Sequence, residues 1–418
     1  MLFKKAALAL AVVSVASTSF ASEQANPFFD DASLDLGFRS YQFWGEEDYK
    51  DPSKPTGKYD ALGQGVRVDF KSGYFHDLIA VDAGVYTGFG IRTDDGNKGS
   101  WGLLGGGTAN DDLIKYAVTA KVKLSDYGTF KYGTRMIHTD LYYDSDNRLV
   151  PELTQATSIE GGYGDLQGYA HHITRSSYRN TEKLVDFVEP VNIVGGSYIF
   201  DNALALNLSY GQQKDNTQQY FGSAKFPFSV AEGTMVVSAN YQHFQAIGAR
   251  KDTLKAENKE QDAGIWTTLV SYEQGPLRLD VAFGKVSSYQ ASDASTGDVG
   301  LDLEWDGGNE NGGSNLLTDN AYYATLDQSD MKSYYAGGTY DLSQQVPGLS
   351  VDFGYMQGKN DALKSQEYFT RINYDVQSVK NLWVGATFAT GEDEDKVGNG
   401  SVDWNHARLQ LSYDFSAL

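Results

Sequence analysis

The chain has no cysteine, so no disulfide staples it. Proline is sparse, 8 in 418 residues. No apolar run approaches the ~20 residues that a membrane-spanning helix needs. Positive charge is short: 34 Lys and Arg stand against 55 Asp and Glu, a net charge of −21. That balance excludes nucleic acid as a partner, because such binding needs a basic footprint. No Gly-x-Ser-x-Gly elbow and no clear Ser–His pairing occurs, so the chain is read as not an enzyme. What is abundant is Tyr (28), Phe (21) and Gly (45). Aromatics favour strands and glycine serves turns.

Residues 1–21 read as a secretory signal. Lys4 and Lys5 form the basic start, residues 6–15 the apolar stretch, and Ser19-Phe20-Ala21 the small-residue cleavage site. Residues 22–418 then form one unit, because no shift in composition marks a boundary. Nothing before Asp31 is long enough to plug a channel.

The last stretch sets the pattern. Along residues 407–415, Ala407, Leu409, Leu411, Tyr413 and Phe415 share one face, and Arg408, Gln410, Ser412 and Asp414 the other. A period of two marks an extended strand between unlike environments. Residues 33–44, 65–70, 79–89, 115–124 and 129–135 repeat the rule, as do 203–210, 235–241, 266–272, 277–283, 349–355, 368–374 and 382–388. Charges recur on the polar face and aromatics at strand ends. Tight links alternate with long ones, the longest at residues 288–333. An exported chain with this habit is all-β: a transmembrane antiparallel β-barrel in an outer membrane, apolar outside and polar within. At ~20 to 25 residues per strand and loop it has roughly 16 to 18 strands and a water-filled lumen.

Several short motifs, in order, resemble the outer membrane porin D (OprD) family. They are Asp31-Ala32-Ser33-Leu34, Phe70-Lys71-Ser72-Gly73-Tyr74 and Lys131-Tyr132-Gly133-Thr134, then Asp146-Asn147-Arg148-Leu149-Val150-Pro151 and Ser177-Tyr178-Arg179-Asn180. The likeness returns at Ser333-Tyr334-Tyr335, Val346-Pro347-Gly348-Leu349 and Gly354-Tyr355. The resemblance implies an 18-stranded channel for passive, selective diffusion of small hydrophilic solutes: sugars or oligosaccharides, amino acids or small carboxylates. It implies a bacterial outer-membrane location, contact with membrane lipid and lipopolysaccharide, and a monomer or loose trimer. The alternative is a barrel adhesin or enzyme with a blocked lumen. One departure stands out. Where relatives often carry Arg-x-Arg near the end, this chain has Gly385 and Thr387, which weakens a carboxylate or basic amino-acid specificity.

By resemblance, residues 136–153 are a third loop folded inward to constrict the lumen, carrying Asp140, Tyr142, Tyr143, Asp144, Asp146, Arg148 and Glu152. Alternation puts Arg39, Arg67, Lys121, Lys123, Lys131, Arg135, Arg371 and Arg408 on the polar wall. A charge facing lipid costs ~2–4 kcal/mol at mid-membrane, which favours the inward assignment. Together they predict a positive stripe facing an acidic loop. Tyr86, Tyr142, Tyr143, Tyr334 and Tyr335 are candidates to stack on sugars, chitin-type oligosaccharides included. No metal or cofactor is expected. His171 and His172, as strand neighbours, point to opposite faces. Asp302-Leu303-Glu304-Trp305-Asp306-Gly307 imitates a calcium loop, but its closing position is Gly313. That segment is read as an acidic external loop.

Overall fold

The computed structural model describes residues 27–54, 56–93, 103, 112–287, 305–306, 315–318, 324–398 and 400–417. The proposed signal at 1–21 lies outside them. After a single helical turn, α1 (Pro27–Asp30), the chain runs through β1 (Ser33–Tyr49), β2 (Gly57–Lys71), β3 (Ile79–Thr93), β4 (Leu113–Ser125), β5 (Gly128–Arg135) and β6 (Leu153–Tyr163). Next come β7 (Leu166–Ser177), β8 (Val185–Ile199), β9 (Ala205–Gln213), β10 (Thr217–Val230) and β11 (Gly233–Ala246). A surface helix, α2 (Gly248–Ala256), leads to β12 (Asp262–Gln274), β13 (Leu277–Val286), β14 (Lys332–Asp341), β15 (Leu349–Lys359), β16 (Leu363–Asp375), β17 (Leu382–Asp395) and β18 (Val402–Ser416).

All eighteen form one antiparallel sheet with neighbours paired in sequence order. β1 also pairs with β18, from Asp35↔Ser416 to Tyr49↔Val402, and this closes the ring. Closure leaves no strand edge, which lipid would not tolerate. Turns of two to seven residues join strands at one rim, and the long connections lie at the other. β6, β7, β8, β10, β14 and the helix α2 lie outside the stretches that alternation alone marks.

The two faces differ as the alternation requires. Outward positions on β4 are Tyr116, Val118, Ala120 and Val122, with Val118 58% exposed. Inward positions are Lys115, Ala117, Thr119 and Lys121, and Lys115 is almost fully buried. A soluble protein seldom leaves so many large apolar side chains on its surface. Here they form a continuous belt against hydrocarbon. The buried residues therefore sit inside the ring, where residues of three connections, Leu103, Leu149 and Trp305 among them, press on the inner wall.

The inward loop and its arginine cluster

The connection between β5 and β6, residues 136–152, folds into the ring. Its route is written in the wall. A Cβ added at Gly65 of β2 would lie 2.7 Å from the Leu149 carbonyl oxygen. Only a bare backbone lets the loop come this close. Leu149 and Val150 are buried there, Leu149 beside Phe43, Ala61 and Leu103.

Most of the loop's acids hold the loop itself. Asp144 is fully buried and accepts hydrogen bonds from the Ile137 N–H at 2.7 Å and the Thr154 hydroxyl at 2.8 Å. Glu152 accepts from the Ser145 N–H at 2.7 Å, and Asp140 from the Ser209 hydroxyl of β9 at 2.9 Å. Burial pushes the Asp140 and Glu152 carboxyls above the ordinary range, against those hydrogen bonds. Tyr142 is buried, its hydroxyl 2.6 Å from the Thr154 hydroxyl, while Tyr143 is exposed and stacks on His138 at 4.5 Å. These acids thus accept from backbone and hydroxyl donors, and Asp144 and Glu152 also lie near the wall cation Lys115.

Asp146 is the exception. Arg39 of β1 donates to both its carboxylate oxygens, at 2.7 and 2.8 Å, and Arg67 of β2 adds a bond at 2.6 Å. Arg39 also reaches the Arg148 carbonyl at 2.8 Å. Paired forks of this kind are among the stronger hydrogen bonds in proteins. Burial opposes the charge on Asp146, but the two arginines prevail and hold its carboxyl below the ordinary range. The guanidiniums also lie over rings: Arg39 over Tyr41 (5.9 Å), Arg67 over Tyr86 (5.2 Å), and Arg148 and Arg408 over Phe43 (5.1 and 5.0 Å). Four arginines, one loop carboxylate and three rings make a compact cationic, aromatic surface.

The remaining wall bases are neutralised locally. Lys121 pairs with Asp82 at 2.6 Å, and Lys123 with Asp77 at 2.9 Å and Asp126 at 3.1 Å. Lys131 and Arg135 share Glu160, at 2.5 and 3.2 Å, and Arg371 meets Asp352 at 3.7 Å. The expected single stripe is therefore a row of ion pairs plus one arginine cluster. Thr387 lies in register between Arg371 and Arg408, so the strands flanking β17 still carry arginine.

Three features escaped sequence reasoning. Lys115 falls on the polar face of the 115–124 alternation with Lys121 and Lys123, and nothing in that pattern singles it out. Its ammonium donates to the Pro151 carbonyl at 2.8 Å, the Ser177 hydroxyl at 3.3 Å and the Tyr178 carbonyl at 2.5 Å, tying the loop's end to β4 and to the top of β7. The second feature corrects a reading. Trp305 and Asp306 are not part of an outer acidic loop: Trp305 is fully buried, its indole N–H donating to the Leu141 carbonyl at 3.0 Å. It rests on Gly211, where a Cβ would sit 2.8 Å from the ring. Residues 302–304, 307 and 313 lie outside the described residues. The third is a hydroxyl–imidazole contact, Ser158 to His171 Nδ1 at 2.6 Å, buried under the loop and joined by Arg135. Of the other tyrosines, Tyr86 donates to Asp69 at 2.5 Å, Tyr334 faces outward and Tyr335 is buried inward.

Known proteins share this plan. A family model described as outer membrane porin, OprD family, matches residues 26–417. Porin D of Pseudomonas aeruginosa is 24% identical over 382 residues, covering 85% of this chain and 82% of the relative. Chitoporin of Escherichia coli is 21% identical over 398 residues, covering 84% and 80%. The crystal structure of Pseudomonas aeruginosa OpdK with vanillate superposes with a TM-score of 0.77 at 23% identity, covering 93% of this chain and 100% of that one. A BenF-like porin from Pseudomonas fluorescens Pf-5 gives 0.79 at 20% identity, with the same coverage.

Proposed function

The chain belongs to the OprD family of outer membrane porins, and on that premise we propose that its filter is the Asp146 bridge between Arg39 and Arg67. The protein is an outer-membrane porin through which small hydrophilic solutes diffuse selectively. Its closed barrel satisfies the backbone in lipid, and the inward loop narrows the route. The finer reading concerns the permeant. The geometry favours small anions, carboxylates above all, with flat or aromatic bodies. One observation carries this: the four guanidiniums lie over ring faces at the tip of the loop, with one loop carboxylate among them. A planar carboxylate matches a guanidinium fork. The vanillate bound to OpdK is a solute of that kind. Residues 1–21 serve as the export signal, and each chain forms its own pore, as a monomer or loose trimer.

The test is single-channel recording across a salt gradient. The wild-type reversal potential is expected on the anion side. Asp146→Asn moves it further that way, and Arg39→Gln with Arg67→Gln moves it toward cations. A soluble aromatic carboxylate blocks the current at concentrations where a neutral oligosaccharide does not. A cation-selective wild type, or block by the neutral sugar alone, overturns the reading.

A further inference from the structure

On the outside of the barrel, at its long-loop rim, lies a feature unrelated to permeation. Lys285 of β13 pairs in register with Lys332 of β14, Lys332 with Lys359 of β15, and Lys359 with Lys364 of β16. Four lysines thus stand side by side on one ladder. All four share the outward face, in phase with Val281, Tyr334, Phe353 and Tyr368 below them. Lys332 and Lys359 are exposed, and Lys285 and Lys364 are half-buried. Like charges directly opposite one another across a ladder destabilise the sheet. Among the described residues, only Lys364 finds an acid, Glu392 at 3.6 Å.

The row does not follow from composition, since the chain carries 55 acids to 34 bases. The corresponding outward ends of β1 and β17 carry acids, Glu46 and Asp48, and Glu392 and Glu394. The lysines also sit at a defined height. One or two outward positions below them runs a band of rings: Trp266 against Phe283 at 5.1 Å, Phe283 against Tyr334 at 5.2 Å, and Tyr355 against Tyr368 at 4.6 Å. Such bands mark the boundary between hydrocarbon and headgroups. Lysines immediately above that boundary, pointing at the membrane, meet the headgroup layer. At ~4.8 Å per strand the row is about 14 Å wide.

We propose that the Lys285–Lys332–Lys359–Lys364 row binds the phosphorylated saccharide head of an outer-leaflet glycolipid. Its phosphates offset the repulsion between the lysines, and its acyl chains lie on the apolar belt beneath. Lys364 at the edge, shared with Glu392, ends the row where the acidic sector begins.

The experiment uses the full chain in detergent micelles and titrates lipopolysaccharide against the same preparation stripped of phosphate. The wild type is expected to bind the phosphorylated form, more weakly as salt rises. Lys285→Gln, Lys332→Gln, Lys359→Gln and Lys364→Gln together lower that affinity by about two to three orders of magnitude. The stripped glycolipid binds wild type no better than the phosphorylated one binds the variant. Lys332→Gln with Lys359→Gln loses about tenfold and serves if the quadruple variant fails to fold. Lys58→Gln, an outward lysine of β2 already paired with Glu46, changes nothing. Conductance stays at the wild-type value throughout, showing that the barrel is intact. Undiminished binding by the lysine variants, or equal binding of the stripped glycolipid, overturns the proposal. So does competition by inorganic phosphate at concentrations equal to the glycolipid's, which would mean an isolated phosphate site.

Discussion

Asp146 links the inward loop to the wall through two arginines, and its proton affinity fixes when that link holds. Its folded carboxyl lies below the ordinary value of ~3.9. A depressed carboxyl contributes stability that is fully present above the unfolded value and lost as pH falls through the folded one. The loop is therefore expected to stay latched from neutral pH down to ~4 and to release only in stronger acid. Asp140 and Glu152 have the opposite sign, since burial makes their protonation easier in the folded chain. Recording conductance against pH in wild type and Asp146→Asn separates them: the low-pH step should vanish in the variant. At Lys115, replacement by Met leaves three acceptors without their donor and should cost roughly 3 kcal/mol, measured by urea unfolding in micelles, with noisier open-channel current. Arg39, Arg67 and Asp146 were legible in the sequence because two sit on a strict alternation and the third in a recognisable motif. The loop-holding role of Asp144 and Glu152 was not, because a loop has no period to say which carboxylates turn back on their own backbone. Lys115 looked like one more wall cation; only its fold neighbours distinguish it.

At the level of strands and connections, the alternation found the barrel but not all its staves. β7 reads Leu-Gln-Gly-Tyr-Ala-His-His-Ile-Thr-Arg-Ser-Ser, and register shifts interrupt its pairing with both neighbours, so its period breaks near Arg175. β10 and β14 carry glycine or alanine at outward positions, such as Gly222, Ala224 and Ala336, which mutes the apolar signal. Inward glycines carried more information than their turn-forming reputation suggested. Gly65 and Gly211 mark where Leu149 and Trp305 press against the wall. Gly65→Ala is expected to push the loop off its seat, costing about 1–3 kcal/mol and widening the pore; a higher single-channel conductance would register it. The outward face makes a complementary demand. Val118→Arg should destabilise the barrel by roughly 2–4 kcal/mol if the site lies at mid-membrane, as measured by folding into lipid vesicles.

The molecule as a whole has its buried residues where a porin needs constriction, not where a soluble domain keeps its core. Its outward side chains face lipid, and the packed material within is inward strand side chains met by residues of the connections, as where Leu149 joins Phe43 and Ala61. With no disulfide to hold partial structures, cohesion depends on the unbroken ring of ladders. The seam between β1 and β18 joins the first strand to the last, with fifteen residue pairs in register. The ring cannot close until β18 is available to β1. Until β18 is in place, β1 keeps one row of its backbone groups unpaired. The alternation spreads the apolar side chains of that open edge over every second position instead of gathering them in one run.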